Sequence, residues 1–214
     1  MKIAEKINDR FRIVLASASP RRKEILELAG VDFEIWPSDK EEEVSAKAAE
    51  DICRELSKQK ALDVASQIVT YNERHEDLTT KTDILVIGAD TIVVKDGEIL
   101  GKPKDDEDAK RMLRLLSGST HSVFTGVTFV FIDSDHRAGE YTFYEETKVS
   151  FVPLDEDEIE SYVLTGDALD KAGAYGIQSK AAPFVSSIEG DFYNVVGLPV
   201  ARMLRELKDI ISDG

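Results

Sequence analysis

The chain has 214 residues, of which 42% are hydrophobic and 32% are charged, an ordinary composition for a soluble globular protein. Its formal net charge of −15 argues against a surface that binds nucleic acid or an anionic membrane, because phosphate groups dominate such binding. No apolar run approaches the roughly 20 residues of a membrane-spanning helix. Residues 1–12 are charged and lack a signal-peptide core, so we expect a cytoplasmic protein.

A single cysteine, Cys53, excludes an internal disulfide and is typical of a reducing compartment. It lies in a helical pattern, which favours a small core residue over a nucleophile. Three histidines are present, and none forms an evident pair with this cysteine.

Residues 13–16 predict a short buried strand that leads into a Ser-rich loop and a helix. Ser19 suits the N-cap of that helix, Pro20 suits its first turn, and Gly30 suits the position just after its end. The order of strand, tight loop and helix N-terminus is typical of sites that bind phosphate.

Two arginines, Arg21 and Arg22, lie in the first turn of this helix, where the helix dipole disfavours cations. Free N–H groups, serine hydroxyls and guanidinium groups together suit an anion. The alternative is a solvated basic surface paired with Glu24 and Glu27. We favour the anion site because of the unfavourable dipole.

Further along the chain, hydrophobic patterns and turn residues predict a mixed α/β fold around one extended, strongly twisted sheet. The predicted strands cover residues 31–36, 83–94, 99–100, 121–132, 140–151, 182–188 and 192–196. The predicted helices cover about 45–69, 105–117, 155–163 and 200–211. The predicted loops cover 71–82, 133–139 and the glycine-punctuated residues 170–178.

The central apolar strand carries one carboxylate, Asp90, shortly after Gly88. A buried carboxylate costs several kcal/mol unless it is paired, hydrogen-bonded or bound to a metal. A structural role with neighbouring N–H groups and a functional role are equally compatible with this pattern. Lys60 lies in the apolar stripe of the long helix, from which its ammonium either reaches solvent or points into a cleft.

Basic and acidic candidates together suit phosphoryl chemistry, because cations stabilise polyphosphate charge and carboxylates hold Mg²⁺ and orient water. The basic candidates are Arg21, Arg22, Lys60, Lys102 and Lys171. The acidic candidates are Glu41, Asp90 and Asp170. The sequence contains no Walker A motif, no metal-spaced Cys/His set and no Gly-x-Ser-x-Gly elbow.

Six motifs, in order, give the chain a resemblance to the Maf family of nucleoside triphosphate pyrophosphatases over about residues 12–208. They are Ser17-Ala18-Ser19-Pro20-Arg21-Arg22, Gly88-Ala89-Asp90-Thr91, Gly101-Lys102-Pro103, Leu116-Ser117-Gly118, Asp170-Lys171-Ala172-Gly173-Ala174-Tyr175-Gly176-Ile177-Gln178 and Asn194-Val195-Val196-Gly197-Leu198-Pro199. The resemblance implies one domain over residues 1–214, with an elongated mixed sheet, flanking helices and two lobes around a cleft, as in inosine-triphosphate pyrophosphatases.

The resemblance also implies Mg²⁺- or Mn²⁺-dependent hydrolysis of a nucleoside triphosphate to the monophosphate and pyrophosphate. In that scheme Asp90 is the general base, and Glu41 with Asp90 lies at the metal. The positions that resemble the family's triphosphate and substrate contacts are Ser17, Ser19, Arg22, Lys60, Lys102 and Lys171.

Arg21, Thr91 and Gln178 resemble the family group that prefers dTTP and UTP, and the Gln amide can pair with the O4/N3 edge of uracil or thymine. We expect a house-cleaning activity on these and on modified pyrimidine nucleotides. The alternatives are 7-methyl-GTP or CTP as substrate, or a nucleotide-binding regulator of cell division. A homodimer is implied by the resemblance alone.

Overall fold

The computed structural model describes residues 2–75, 83–133 and 138–213. Its helices within these ranges are α1 (Lys2–Arg10), α2 (Pro20–Leu28), α3 (Ala49–His75), α4 (Asp106–Leu116), α5 (Glu156–Val163), α6 (Phe192–Val196) and α7 (Val200–Asp213). Its strands are β1 (Phe11–Leu15), β2 (Glu34–Ile35), β3 (Asp83–Lys95), β4 (Glu98–Leu100), β5 (Thr120–Ile132), β6 (Ala138–Phe151) and β7 (Val185–Glu189). Short 3-10 turns form at Ala172–Ala174 and Ala182–Phe184.

The strands form one sheet in the order β2–β1–β3–β5–β6–β7, and β4 pairs with β3. Strand β1 runs parallel to both of its neighbours, with Ile13 opposite Leu85 and Val14 opposite Glu34. Strand β4 runs antiparallel to β3, and β7 runs antiparallel to β6. The predicted mixed α/β fold is therefore confirmed. Among the described helices, none has the length and apolar content that crossing a membrane requires.

The chain divides into two compact units, to both of which β3, β5 and β6 contribute residues. The first unit comprises Met1–Asp90, Gly126–Tyr144 and Gly197–Gly214. The second unit comprises Thr91–Thr125 and Glu145–Val196. That the whole chain acts as one functional domain stays a prediction.

Each unit has its own buried core. In the first unit, Val64 and Ile68 on α3 belong to a buried cluster with Val86 on β3. In the second unit, the rings of His121 and Phe151 pack edge-on around Tyr175, at centroid distances of 5.3 and 4.8 Å. The first core therefore lies between a helix and the sheet, and the second joins residues of two strands to Tyr175, which lies outside the strands.

Two glycines let α3 lie directly on the sheet within the first unit. A Cβ at Gly88 on β3 would lie 2.4 Å from the Ser57 carbonyl oxygen and 2.8 Å from the Ala61 nitrogen. A Cβ at Gly126 on β5 would lie 2.1 Å from the Cys53 carbonyl oxygen. The helix backbone therefore approaches both strands too closely for any residue with a side chain.

The sequence predicts a strand over residues 192–196, and this prediction is wrong because α6 forms there. The Asp191 carboxylate accepts a hydrogen bond of 2.8 Å from the backbone N–H of Tyr193, which satisfies an amide of the first helical turn. The side chain of Asn194 is fully buried and donates to the Val123 carbonyl oxygen and to Thr147 Oγ1. The preceding strand is also shorter than predicted, because residues 182–184 form a 3-10 turn.

Two other elements differ in their boundaries from the prediction, and one helix was not predicted. The long helix covers Ala49–His75 rather than 45–69, so residues 71–75 of the predicted loop are helical and 76–82 lie outside the described residues. The strand predicted over 31–36 shrinks to two exposed residues, because the N–H of Val31 bonds back to the Leu26 carbonyl oxygen. Helix α1 was not predicted, since only Ala4 and Ile7 of it are buried.

Candidate active site

The loop between β1 and α2 has the geometry that the sequence predicts. Ser19 has the extended backbone of an N-cap, with φ −64° and ψ 118°, and Pro20 opens the helix. The Ser19 hydroxyl makes no capping hydrogen bond within the described residues. The backbone N–H of Ser19 instead points at the hydroxyl of Ser17, with N and Oγ 3.3 Å apart. Arg21 is half-buried in the first turn.

Arg22 is a buried cation, with 9% of its surface exposed. Its Nε donates to the Gly197 carbonyl oxygen at 2.9 Å, and its Nη1 donates to Ser17 Oγ at 3.0 Å. Burial lowers the pKa of the guanidinium, and the negative charge of Asp90 opposes that effect. The guanidinium fork is therefore fixed in place at the N-terminus of α2, where an anion is favoured.

Lys60 and Asp90 form the central ion pair of the first unit. The Lys60 ammonium donates to Asp90 Oδ1, and it also lies 2.9 Å from Glu42 Oε1. The side chains of Lys60 and Asp90 are 20% and 13% exposed. Of the two orientations that the sequence leaves open for Lys60, the structure shows the inward one, against the central strand. Asp90 has a cationic partner, as a buried carboxylate requires.

The thiol of Cys53 is buried, as predicted. Burial, together with the negative charge of Asp90, raises the pKa of the thiol to about 12. The thiolate is the nucleophilic form of cysteine, so this residue is inert at neutral pH.

The carboxylates of Asp90 and Glu42 converge on one ammonium, and this arrangement bears on the predicted metal. Mg²⁺ in proteins takes hard oxygen ligands, commonly one or two carboxylates completed by water and by substrate phosphates. No group of three or more His, Cys, Asp or Glu residues arranged for a metal occurs in the described ranges. Two converging carboxylates nevertheless fit a cation that substrate oxygens complete. Glu41, the predicted metal ligand, is exposed, and the structure places its neighbour Glu42 on Lys60.

The second unit contains the other predicted site residues. The hydroxyls of Thr91 and Thr125 lie 2.9 Å apart in a hydrogen bond. Lys102 is exposed, next to Gly101, whose carbonyl oxygen accepts a hydrogen bond of 3.1 Å from the N–H of Gly173. Gln178 is exposed in an irregular segment. Its amide can therefore reach a ligand.

Lys171 differs from the other predicted basic residues because its ammonium is enclosed by its own segment. Only 8% of the residue is exposed, and Nζ donates to the Asp167 carbonyl oxygen, to Asp167 Oδ1 and to Asp170 Oδ1. These three acceptors match the three hydrogens of an ammonium group. The predicted contact of Lys171 with substrate stays a prediction.

The sequence model of one protein family, described as Maf-like protein, matches residues 12–210. The chain belongs to the Maf-like protein family. A dTTP/UTP pyrophosphatase of Agathobacter rectalis is 56% identical over 202 residues, which cover 94% of this chain and 98% of that protein. A dTTP/UTP pyrophosphatase of Bacillus cytotoxicus is 50% identical and covers 94% of this chain and 96% of that protein. A solved structure of a HAM1 protein from Coxiella burnetii is 15% identical, with a TM-score of 0.45 over 95% of this chain and 100% of that chain.

In this Maf-like protein, sequence reasoning missed Glu42, which lies in a run of three consecutive glutamates. Nothing in the run distinguishes its members, because residues 41–47 have no helix or strand period. Only the contact with Lys60 selects Glu42. For the Lys60–Asp90 pair, the sequence does contain a signal. Lys60 lies in the apolar stripe of a helix, and Asp90 lies in an apolar strand.

Proposed function

We propose that this Maf-like protein hydrolyses nucleoside triphosphates to the monophosphate and pyrophosphate, with dTTP, UTP and modified pyrimidine analogues as substrates. The observation that carries the proposal is the half-buried pair of Lys60 and Asp90 in the same unit as Arg22 at a helix N-terminus. The names of two relatives that align over nearly their whole length support the reaction and the bases.

Asp90 is the proposed general base, because a carboxylate can accept a proton from an attacking water held next to it. Lys60 fixes the orientation of this carboxylate and supplies positive charge beside it. Glu42 and Asp90 would hold Mg²⁺ or Mn²⁺, with Glu41 as the neighbouring carboxylate that the resemblance assigns. The metal, when bound, would neutralise phosphate charge as a Lewis acid.

Phosphate recognition in this proposal rests on groups that carry N–H and O–H donors. The N-terminus of α2 brings backbone amides, Ser17 and Ser19 together with the forked guanidinium of Arg22. Preorganised donors of this kind stabilise the charge that develops in a transition state. In the second unit, Lys102 is the proposed cation that stabilises this transition-state charge.

Base selection is assigned to Arg21, Thr91 and Gln178. The exposed Gln178 amide has both a donor and an acceptor, and uracil and thymine present both at N3–H and O4. The same resemblance extends the proposal to a cytoplasmic homodimer, whose mass light scattering of the purified protein would measure.

A pyrophosphate-release assay with dTTP, UTP, CTP, GTP, ITP and 7-methyl-GTP tests the proposal. Asp90→Asn should abolish turnover and leave nucleotide binding intact in calorimetry. Asp83→Asn is the matched control, because Asp83 is a carboxylate at the start of the same strand, whereas Asp90 lies in its middle. Chelation with EDTA should also abolish turnover.

Three outcomes would overturn parts of the proposal. Folded wild-type protein that is silent on every nucleotide would favour the nucleotide-binding regulator. Highest turnover on CTP or 7-methyl-GTP would refute the assignment of the base. Full activity in EDTA would refute the metal.

A further inference from the structure

The segment Asp167–Ser179, here called the glycine segment, adopts a backbone that its own sequence does not favour. Gly173 and Ala174 are consecutive residues in the left-handed region, with φ of 68° and 63°. A left-handed alanine costs of order 1 kcal/mol, so the surroundings must hold it. Both residues are buried.

The head group of Lys171 is the first of two anchors for the glycine segment. Its contacts with the Asp167 carbonyl oxygen and with Asp170 Oδ1 are both 2.6 Å, and its contact with Asp167 Oδ1 is 3.1 Å. Tyr162 on α5 donates to the other oxygen of Asp167 at 3.1 Å, which ties this cluster to a helix. The Lys171 ammonium therefore holds Asp167 and Asp170, at the start of the segment, in a fixed position.

The stem of Lys171 lies across the other end of the segment. A Cβ at Gly176 would lie 2.7 Å from Lys171 Cε, 2.8 Å from Cδ and 2.8 Å from Ser179 Oγ. The N–H of Ser179 donates to the Gly176 carbonyl oxygen at 3.0 Å, which closes the turn that contains Gln178. Lys171 therefore contacts the chain on both sides of the strained pair.

Tyr175 is the second anchor. Its hydroxyl lies 2.8 Å from His121 Nε2 on β5, and the Tyr175 and His121 residues are 5% and 3% exposed. Between the two anchors, the N–H of Gly173 donates to the carbonyl oxygen of Gly101, the neighbour of Lys102. The glycine segment is therefore bonded to the segment that carries a proposed phosphate-binding cation.

We propose that Lys171 is a positioning residue, which fixes the glycine segment so that Gln178 presents its amide in one orientation. Its ammonium hydrogens are directed at acceptors of its own segment, so it acts on base selection rather than on phosphate. This role rests on the proposed pyrophosphatase function and deepens it.

Lys171→Met tests this role, because methionine keeps most of the stem and removes the three hydrogen bonds. Lys180→Met is the matched control, an exposed lysine just outside the glycine segment. Two quantities are measured in each variant: the ratio of kcat/KM for dTTP over CTP, and the Kd of inorganic pyrophosphate with Mg²⁺ in calorimetry. Lys102→Ala supplies the reference for the loss of a phosphate contact.

Lys171→Met should lower the dTTP/CTP ratio about tenfold, the discrimination that one well-placed hydrogen bond provides. The pyrophosphate Kd should stay within about twofold of wild type, whereas Lys102→Ala should raise it about tenfold or more. Amide hydrogen exchange within the glycine segment should be faster in Lys171→Met than in Lys180→Met. An unchanged dTTP/CTP ratio with a pyrophosphate Kd raised as in Lys102→Ala would overturn the positioning role.

Asp170→Asn decides the question if Lys171→Met does not fold. The positioning role predicts a lower dTTP/CTP ratio and an unchanged pyrophosphate Kd in this variant. A phosphate-binding Lys171 predicts tighter pyrophosphate, because a competing carboxylate is lost. Wild-type protein without turnover on any nucleotide refutes the proposed function itself, whereas unchanged selectivity in an active Lys171→Met enzyme refutes only the positioning role.

Discussion

Replacing Gly88 with alanine perturbs the pair of Lys60 and Asp90, the proposed catalytic pair, without altering either charged residue. The new methyl group would lie 2.4 Å from the Ser57 carbonyl oxygen and 2.8 Å from both the nitrogen and the Cβ of Ala61. Backbone and Cβ atoms cannot move by a change of rotamer. Helix α3 must therefore retreat from β3 by about 1 Å, from 2.4 Å to ordinary contact at 3.4 Å.

The retreat carries Lys60 away from Asp90, because Lys60 lies between Ser57 and Ala61 on α3. A displacement of about 1 Å can lower a rate ~100-fold. Overpacking of a close-packed core costs about 1–3 kcal/mol of unfolding free energy. We expect both losses in Gly88→Ala, measured as kcat for pyrophosphate release from dTTP and as urea unfolding followed by fluorescence of Trp36.

Gly139→Ala is the matched control, because Gly139 lies on β6 and an added Cβ meets no atom within 4 Å. We expect it to leave kcat and unfolding free energy unchanged. A Gly88→Ala protein with reduced stability and wild-type kcat would refute the dependence of the proposed catalytic pair on the position of α3. A Gly88→Ala protein with the unfolding free energy of wild type would refute the close packing of α3 on β3.

Three further predictions concern charged and titrating groups. Burial lowers the pKa of His121 from 6.5 to about 4, so its stabilising contribution is complete above pH 6.5 and is lost as the pH falls toward 4. Between about pH 7 and about pH 4, the free energy of unfolding in urea should fall by up to ~3 kcal/mol more in wild type than in His121→Gln. Lys60→Met and Asp90→Asn should be non-additive by ~1–2 kcal/mol in a double-mutant cycle of stability, and additivity would refute the pair. Arg22→Ala should lose ~2–4 kcal/mol of transition-state stabilisation, calculated from kcat/KM. The control Lys23→Ala, at an exposed lysine, should lose less than ~0.5 kcal/mol. Equal losses in the two variants would refute the role of Arg22.

Sequence predicted helix starts well where one side chain satisfies a local amide. Asp105 accepts from the N–H of Asp108 at 2.8 Å, and Asp155 forms a capping box with Glu158. The residues that decide such a start lie within one turn of each other, so a local pattern contains the whole interaction.

Sequence failed where a distant contact decides the structure. The apolar residues 192–196 fit a strand or a short helix equally well by period, and the buried side chain of Asn194 selects the helix through bonds to Val123 and Thr147. The same reason explains Glu42, whose distinction from Glu41 is a contact with Lys60. Neither contact can be predicted from the local sequence pattern of the segment that it stabilises.

The proposed site residues lie on two kinds of backbone. Asp90 and Thr91 lie on a strand and Lys60, Arg21 and Arg22 lie on helices, whereas Glu42, Lys102 and Gln178 lie on irregular segments. Regular elements hold side chains in position more tightly than loops do, which suits the steps that every nucleotide shares. Irregular segments tolerate change, which suits the choice among nucleotides. Such segments need anchors of their own, and because the contact of Glu42 with Lys60 and the contact of Tyr175 with His121 are long-range, the positions of Glu42 and Gln178 are the part of this site that sequence patterns specify least.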